Sequence, residues 1–263
     1  MVAWRLVDDG AHPGRANMAR DEAILTTFAP GDVPVLRLYS WERPCVSIGY
    51  FQPLDVLDLD ACDRLGVEWV RRATGGRAVL HDLELTYCLV AGLDDPIVGG
   101  GLANSYRRIA AGLAAGLAML GLVAAIAGRG DSRWPSRQLA RNPACYGTPA
   151  QFELTTSRGK LIGSAQLRRG ARFLQHGAIP LANGPVSLVN VLRSGDAAES
   201  RTTLADALAR RVLAAEVVAA MRIGFEQELG VTFVDDSLAP AELAAAATIF
   251  RDQYDDADWL ARR

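Results

Sequence analysis

The sequence has few histidines and cysteines, and it carries no strong excess of charge of either sign. Its 263 residues include 3 His and 4 Cys, and the formal net charge at pH 7 is −2. The histidines are far apart and no two cysteines form a C-x-x-C pair, which argues against a zinc site and a disulfide framework. The small net charge gives no general attraction to nucleic acid or to a membrane. We therefore expect a cytoplasmic protein without a metal, a nucleic-acid partner or a membrane partner.

Long apolar segments are also scarce. The N-terminal residues lack the apolar stretch of a signal peptide. One uncharged run, 109–128, is long enough to span a bilayer, but it consists mostly of alanine and glycine. We predict that it forms a buried helix, in which Gly112 and Gly116 allow another element to pack closely. The chain is expected to be a monomer and one domain over 1–263, with a helical C-terminal segment from about residue 199.

Strand-like runs dominate the first two thirds of the chain, and helical patterns dominate its end. One predicted hairpin joins strands 33–40 and 45–50, and a second joins strands 151–156 and 160–166. Further strands are predicted over 67–72, 77–81, 84–90 and 172–180, and helices over 17–28, 55–65, 101–120, 202–229 and 240–251. This order predicts an α+β fold with a mixed, largely antiparallel sheet flanked by helices, and not a regular βαβ array.

A glycine-rich turn flanked by arginines is the most distinctive local feature. The Thr-Gly-Gly-Arg turn at 74–77 joins two apolar runs, and Arg71 and Arg72 precede it. Such a turn lets a ligand approach backbone N–H groups, and arginines bind phosphates and carboxylates. We predict that an anionic or carbonyl-bearing small molecule binds here. Three more arginines within 168–172 favour an acidic partner or a phosphorylated substrate.

Cys145 and Lys160 are the residues with the clearest chemical potential. Cys145 lies between prolines and glycines, so it is either a reactive group on an ordered loop or a small buried hydrophobe. The other three cysteines lie within regular apolar or helical patterns and are predicted to be buried. Lys160 opens a strand, where a lysine is usually solvated. If its ammonium faces the cysteine instead, it lowers the pKa of the thiol and raises the thiolate fraction.

Two histidines and a run of small residues complete the candidate set. His81 ends the strand after the glycine-rich turn, and His176 lies in a later strand. Each is either a proton shuttle or orienting donor, or a histidine with a purely structural role. The Gly-Ser-Ala run at 163–165 lies inside a predicted strand. It indicates either a bulge or the close approach of an acyl chain or its carbonyl to the backbone.

Taken together, these segments resemble the signature motifs of the lipoate–protein ligase and octanoyltransferase family, relatives of biotin ligase. The matching segments are 17–22, 36–41, 47–52, 71–82, 160–166 and 174–179, all within about residues 4–181. The family fold is a mixed sheet flanked by helices, as the element order also predicts. The residues expected to bind substrate are Arg72, Gly75, Gly76, Arg77, His81, Gly163, Ser164, Ala165, His176 and Gly177.

Two details resemble one branch of that family, the octanoyl-carrier-protein:protein octanoyltransferases of the Gram-positive type. Arg77 stands where the adenylating ligases usually carry a third glycine, and Cys145 stands where they tend to have a polar residue. In that branch the loop cysteine is the acyl-thioester nucleophile, and the strand lysine lowers the pKa of its thiol. The resemblance therefore implies these two roles for Cys145 and Lys160.

The resemblance implies a two-step octanoyl transfer that uses no cofactor. The donor is octanoyl-acyl carrier protein, and the acceptor is a lysine of a lipoyl domain or of glycine-cleavage H protein. Both partners are expected to be acidic, which gives the arginine clusters a role in steering. Two alternatives stay open. One is an ATP-dependent lipoate–protein ligase that acts through an acyl-adenylate and makes no use of Cys145. The other is an inactive binder of lipoyl domains or lipoate.

Overall fold

The computed structural model describes residues 2–128, 152–193 and 201–262. The strands are β1 (Val2–His12), β2 (Val35–Trp41), β3 (Cys45–Ile48), β4 (Glu68–Arg71), β5 (Val79–His81), β6 (Glu84–Gly92), β7 (Ala125–Ile126), β8 (Leu154–Thr156), β9 (Gly159–Arg169), β10 (Arg172–Pro180) and β11 (Val231–Asp236). The helices are α1 (Gly14–Thr27), α2 (Leu59–Leu65), α3 (Leu102–Met119), α4 (Leu204–Leu208), α5 (Ala214–Leu229), α6 (Pro240–Ile249) and α7 (Ala257–Ala261). Short 3-10 turns lie at Leu54–Val56 and Leu188–Val191, and a π-helical turn lies at Phe250–Tyr254.

The strands form a large sheet and a small sheet. The large sheet has eight strands in the order β11-β1-β2-β6-β10-β9-β8-β7, and the small sheet has three in the order β4-β3-β5. In the large sheet, β1 is parallel to both β11 and β2, and every later pair is antiparallel. In the small sheet, β3 is parallel to β4 and antiparallel to β5. The predicted α+β class with a mixed, largely antiparallel sheet is confirmed.

Helices cover the two faces of the large sheet. On one face, α3 and α5 pack together, and Ile109 and Phe225 share a core with Leu85 and Leu89 of β6. On the other face, α1 packs on the sheet, with α6 against its outer side. The small sheet lies beside α1 on this same face, where Val79 of β5 contacts Ala178 of β10. The space between the two sheets is where the candidate site lies.

The first predicted hairpin is wrong, and the second is confirmed. β2 lies inside the large sheet between β1 and β6, whereas β3 belongs to the small sheet. The turn at 41–44 therefore carries the chain from one sheet to the other. In the second case β8 pairs with β9 around a tight turn, with Thr156 opposite Gly159.

Several helix boundaries also differ from the prediction. Helix α1 begins at Gly14, and Asn17 is not its N-cap: the buried Asn17 amide donates to the carbonyls of His12 and Ser40. The predicted helix 202–229 is divided into α4 and α5. The C-terminal segment, predicted to be helical, also contains β11, which pairs in parallel with β1 at the edge of the large sheet.

Small residues bring α3 and α5 close together, as predicted from Gly112 and Gly116. A Cβ atom added at Gly112 would lie 2.9 Å from the ring of Phe225, and one at Gly116 would lie 2.7 Å from Sδ of Met221. On the facing helix, a Cβ at Gly224 would lie 2.1 Å from the backbone nitrogen of Gly116. In the part of the chain described here, no helix is long and apolar enough to cross a membrane.

Replacing Gly224 with alanine is expected to lower the free energy of unfolding by about 1–3 kcal/mol. The added methyl group meets backbone, which cannot move aside without separating the two helices, and this cost exceeds the gain in helix propensity of about 1 kcal/mol. Denaturant unfolding measures the change. Gly101→Ala is a matched control, because nothing lies within 4 Å of a Cβ there. Equal stability of the two variants would contradict the prediction.

Candidate active site

A cavity opens between the two sheets, and concave sites of this kind are where small molecules bind. Strands β2, β6, β9 and β10 supply one wall, strands β3 and β5 supply the opposite wall, and α1 and the glycine-rich turn complete it. Its lining residues are Met18, Tyr39, Trp41, Ser47, Arg72, Gly76, Val79, His81, Thr86, Gly163, Ser164, Ala165, His176, Gly177 and Ala178.

Most of the predicted substrate-binding residues meet at this cavity. They come from the glycine-rich turn, from the end of β5, and from β9 and β10. Strand pairing brings the last two groups together, since Ala165 lies opposite His176 and Ser164 lies opposite Gly177. Gly75 and Arg77 belong to the same turn but are not lining residues. The predicted residues that line the cavity are Arg72, Gly76, His81, Gly163, Ser164, Ala165, His176 and Gly177.

Backbone contacts hold the glycine-rich turn in place. The carbonyl of Thr74 accepts a hydrogen bond from the N–H of Tyr50 at 2.9 Å. Gly49 lies against Gly76 so closely that a Cβ at Gly49 would be 2.0 Å from the carbonyl oxygen of Gly76. Gly76 itself has a φ of +96°, which only glycine adopts readily. Glycine at these two positions is therefore required by the packing of the turn.

The two arginines before the turn serve its structure. The Arg72 guanidinium donates to the carbonyls of Ser47, Gly75 and Arg77 at 2.7–3.2 Å. The buried Arg71 donates to the carbonyls of Gly49, Tyr50, Gln52 and Leu260. These bonds tie the turn to the end of β3 and to the C-terminal helix α7. Arg71 therefore binds backbone carbonyls. That Arg72 also binds substrate remains a prediction.

His176 connects the turn to a buried ion pair. Its Nε2 lies 2.7 Å from Oγ1 of Thr74, and its Nδ1 lies 3.1 Å from Oδ2 of Asp21. Asp21 also accepts from Arg37 at 2.6 Å and from the Tyr39 hydroxyl at 2.9 Å. Burial acts to raise the pKa of Asp21, but Arg37 and His176 outweigh it, so this pKa lies below its usual value. The ionised Asp21 orients His176 so that Nε2 faces the threonine hydroxyl.

His81 lies at the cavity wall between a serine and a glutamate. Its Nε2 is 2.7 Å from Oγ of Ser47, and its Nδ1 is 2.8 Å from Oε1 of Glu84. The ring stacks on Trp41 at a centroid distance of 4.0 Å. Burial lowers the pKa of His81 below its usual value, against the opposing effect of Glu84. Sequence reasoning selected His81 but missed Ser47 and Glu84, although Glu84 is only three residues away.

Lys160 is not solvated. It is 2% exposed, and its Nζ lies 2.7 Å from Oε1 of Glu153, which is also buried. The ammonium is close to the cavity, because a Cβ at Gly163 would be 3.0 Å from Nζ. Glu153 was not singled out from the sequence. A signal was available, since Lys160 is the single lysine in the chain and its hairpin partner strand begins directly after Glu153.

The cysteines fall into two groups. Cys145 lies outside the described residues. Cys45, Cys62 and Cys88 are buried free thiols, as predicted. Burial raises the pKa of Cys62 to about 11 and raises the pKa values of Cys45 and Cys88 well above the usual value. These three thiols are poor nucleophiles at neutral pH.

The second arginine cluster makes structural contacts at and near the β9–β10 turn. Arg168 donates to Gln166, Ser105 and the carbonyl of Gly100. Arg169 pairs with Glu22, and Arg172 donates to the carbonyl of Phe28. None of the three is a lining residue of the cavity. Among the described residues, no cluster of His, Cys, Asp and Glu side chains is arranged to hold a metal ion.

Replacing Thr74 with valine is expected to raise KM for the substrate several-fold and to lower the free energy of unfolding by about 1–3 kcal/mol. The substitution keeps the shape but leaves Nε2 of His176 buried without its partner. Denaturation and steady-state kinetics measure the two effects. Thr248→Val, at an exposed position on α6, is the matched control. A Thr74→Val protein with unchanged KM and stability would show that the contact does not hold the turn.

Comparison with known proteins identifies the family of this chain. The model of the lipoyl protein ligase A/B catalytic domain matches residues 13–226. The octanoyltransferase LipM of Symbiobacterium thermophilum is 42% identical over 99% of this chain and 98% of its own length. The octanoyltransferase LipM of Moorella thermoacetica is 40% identical over the same shares. A bipartite lipoate protein ligase from Thermoplasma acidophilum, studied with its E2 lipoyl domain, has a TM-score of 0.80 at 27% identity over 100% of this chain and 98% of that chain. The chain belongs to the lipoyl protein ligase A/B catalytic domain family.

Proposed function

We propose that this protein transfers an octanoyl group from octanoyl-acyl carrier protein, through a thioester on Cys145, to the acceptor lysine of a lipoyl domain or glycine-cleavage H protein. It is an octanoyltransferase of lipoate biosynthesis, as its full-length relatives indicate. The observation that carries the proposal is the convergence of the glycine-rich turn, His81 and His176 on one cavity, with the Lys160 ammonium next to its lining residue Gly163.

Lys160 is suited to act on a thiol that carries the acyl group. Its ammonium is buried in an ion pair with Glu153, so the charge is screened by little solvent. A cation held in such surroundings lowers the pKa of a nearby thiol and supplies a proton-transfer partner. Lys160 in this proposal activates Cys145 for attack on the donor thioester, which forms the octanoyl-enzyme and releases the carrier-protein thiol.

The cavity walls are suited to a neutral acyl chain and its carbonyl. Apolar side chains such as Met18, Val79 and Ala178 line it, together with Gly163 of β9 and Gly177 of β10. Backbone N–H groups near the cavity can stabilise the oxyanion that forms in each acyl-transfer step. The related ligase from Thermoplasma acidophilum was studied with an E2 lipoyl domain, which supports the same class of acceptor for this chain.

Mass spectrometry without ATP tests the proposal. Incubation with octanoyl-acyl carrier protein is expected to add one octanoyl group to Cys145, and a lipoyl domain added afterwards is expected to remove it. Cys145→Ala is expected to abolish both steps. Cys62→Ala serves as the matched control, because that thiol is buried with a pKa of about 11.

The same experiment separates the remaining alternatives. A Cys145→Ala protein that stays fully active, but only when ATP and free octanoate or lipoate are supplied, would show a ligase that acts through an acyl-adenylate. A wild-type protein that binds lipoyl domains and turns over no acyl donor would show an inactive binder. Either result would overturn the thioester route.

A further inference from the structure

A directed chain of hydrogen bonds runs through the cavity wall from Arg72 to Glu84. A carboxylate can only accept hydrogen bonds, so Nδ1 of His81 donates to Glu84 at 2.8 Å. In the neutral ring Nε2 then carries no proton and is an acceptor. Nε2 therefore accepts from the hydroxyl of Ser47 at 2.7 Å. Arg72 donates to the same Ser47 oxygen at 3.1 Å. One lone pair of this hydroxyl oxygen is left to accept a proton from a ligand.

The surroundings fix this chain in one geometry. Trp41 stacks on the His81 ring at an interplanar angle of 11°. Thr86 donates to Oε1 of Glu84 at 2.7 Å and accepts from the indole N–H of Trp41 at 2.9 Å. Oε2 of Glu84 is buried and has no hydrogen-bond partner among the described residues. Glu84 is thus fixed against Nδ1 of His81, where its negative charge stabilises an imidazolium.

We propose that Ser47, His81 and Glu84 form a proton relay that serves the second half-reaction, the transfer of the acyl group to the acceptor amine. The proposal rests on the proposed function. Ser47 and His81 line the cavity in which that function puts the acyl group. The arrangement of hydroxyl, imidazole and carboxylate is the one that moves a proton away from an attacking nucleophile in acyl-transfer enzymes.

The proton balance of the step is complete. The neutral amine of the acceptor lysine attacks the thioester carbonyl, so a C–N bond forms and the C–S bond breaks with its electron pair on sulfur. The nitrogen loses one proton to the Ser47 oxygen as the Ser47 hydroxyl proton passes to Nε2 of His81. Glu84 stabilises the imidazolium. The proton then returns through Ser47 to the thiolate, which restores the thiol and leaves an amide.

The charged and titratable groups around His81 are consistent with a neutral ring that accepts a proton. Burial is the largest factor that lowers the pKa of His81, and Arg72 and His176 act in the same direction. Glu84 on β6 opposes them by favouring the protonated ring. Cys45, opposite His81 on β3, is a thiol whose pKa burial raises well above its usual value, so it stays uncharged. The relay is thus ready to accept a proton at neutral pH.

Separate measurement of the two half-reactions tests the relay. Wild-type enzyme and the variants Ser47→Ala, His81→Gln and Glu84→Gln are acylated with octanoyl-acyl carrier protein, and then mixed with a lipoyl domain in single turnover. The rate constant of the second half-reaction is expected to fall at least tenfold more than that of the first. The fall is expected to be smaller at high pH, because hydroxide replaces the relay as proton acceptor. Ser47→Thr, which keeps the hydroxyl, is expected to recover most of the rate.

Matched controls and contrary outcomes are available. Ser237→Ala and Glu228→Gln change the same residue types at exposed positions outside the cavity lining and are expected to leave both rates unchanged. If the relay variants slow both half-reactions equally, or slow neither, the relay is overturned and the triad is only structural. If the wild-type protein forms no octanoyl-enzyme, the proposed function fails first and the relay fails with it.

Discussion

Replacing Lys160 with methionine is expected to slow octanoyl-enzyme formation at pH 7 by about 100-fold. An ammonium about 4 Å from a thiolate is worth at most about 4 kcal/mol at an effective dielectric near 20, and about half of this corresponds to 1–2 pKa units. Loss of a proton-transfer partner slows octanoyl-enzyme formation further. Since the thiol ionises without help at higher pH, the variant is expected to recover toward wild-type rates as the pH rises above about 8.5.

Alkylation by iodoacetamide measures the same effect without substrate. The buried Cys45, Cys62 and Cys88 have raised pKa values, so Cys145 is expected to dominate the reaction of the folded protein. Its alkylation rate at pH 7 is expected to fall at least tenfold in Lys160→Met and to approach the wild-type rate at high pH. An unchanged alkylation rate would show that Lys160 does not act on the thiol.

A double variant separates the chemical role of Lys160 from its part in stability. Lys160→Met alone removes the ammonium that lies 2.7 Å from the buried Glu153 carboxylate, which is expected to cost about 3–5 kcal/mol of unfolding free energy. Combining it with Glu153→Met removes both charges and is expected to restore most of the stability. The double variant is expected to remain slow. If it regained the wild-type rate as well, Lys160 would have only a structural role.

The candidate site could be predicted to the extent that its residues carry a distinctive local signal. The glycine-rich turn is such a signal, since glycine is required where Gly49 meets Gly76. The run at 163–165 and His176 meet because β9 and β10 are neighbours joined by a short turn. Ser47 has an ordinary local context, and Glu153 is marked only by its place directly before the hairpin partner strand of Lys160. Their importance depends on His81 and Lys160, to which only the folded chain brings them at hydrogen-bond distance.

The fold could likewise be predicted where residues close in sequence determine it, and not where distant segments pair. Most element types followed from apolar periodicity, although β1 and β11 were not predicted, and strands joined by a tight turn, β8 with β9, were paired correctly. The turn at 41–44 indicated that the chain reverses but contained no information about which sheet receives β3. The pairing of β1 with β11 places Val2 opposite Val231, far apart in the sequence. Such pairing depends on sheet edges that exist only after the core has formed.

Replacing Gly49 with alanine is expected to lower kcat/KM by about 100-fold with a cost to stability of only about 1–3 kcal/mol. The new Cβ would lie 2.0 Å from the carbonyl oxygen and 2.9 Å from the carbonyl carbon of Gly76. Both sides of this contact are backbone, so the glycine-rich turn must shift by about 1 Å or more to restore an ordinary contact distance. A displacement of that size at a reacting centre commonly costs about two orders of magnitude in rate.

The shift also changes what the turn presents to the cavity. Gly76 and Arg72 line the cavity, and Thr74 holds the hydrogen bond to His176, so all three are displaced together. Circular dichroism and thermal unfolding verify that the Gly49→Ala protein is folded, and steady-state kinetics measures kcat/KM. Gly101→Ala, which meets no atom within 4 Å, is the control and is expected to keep the wild-type rate. A Gly49→Ala protein with more than half of the wild-type kcat/KM would show that the chemistry tolerates movement of the turn, because the methyl group leaves the turn no room in its present place.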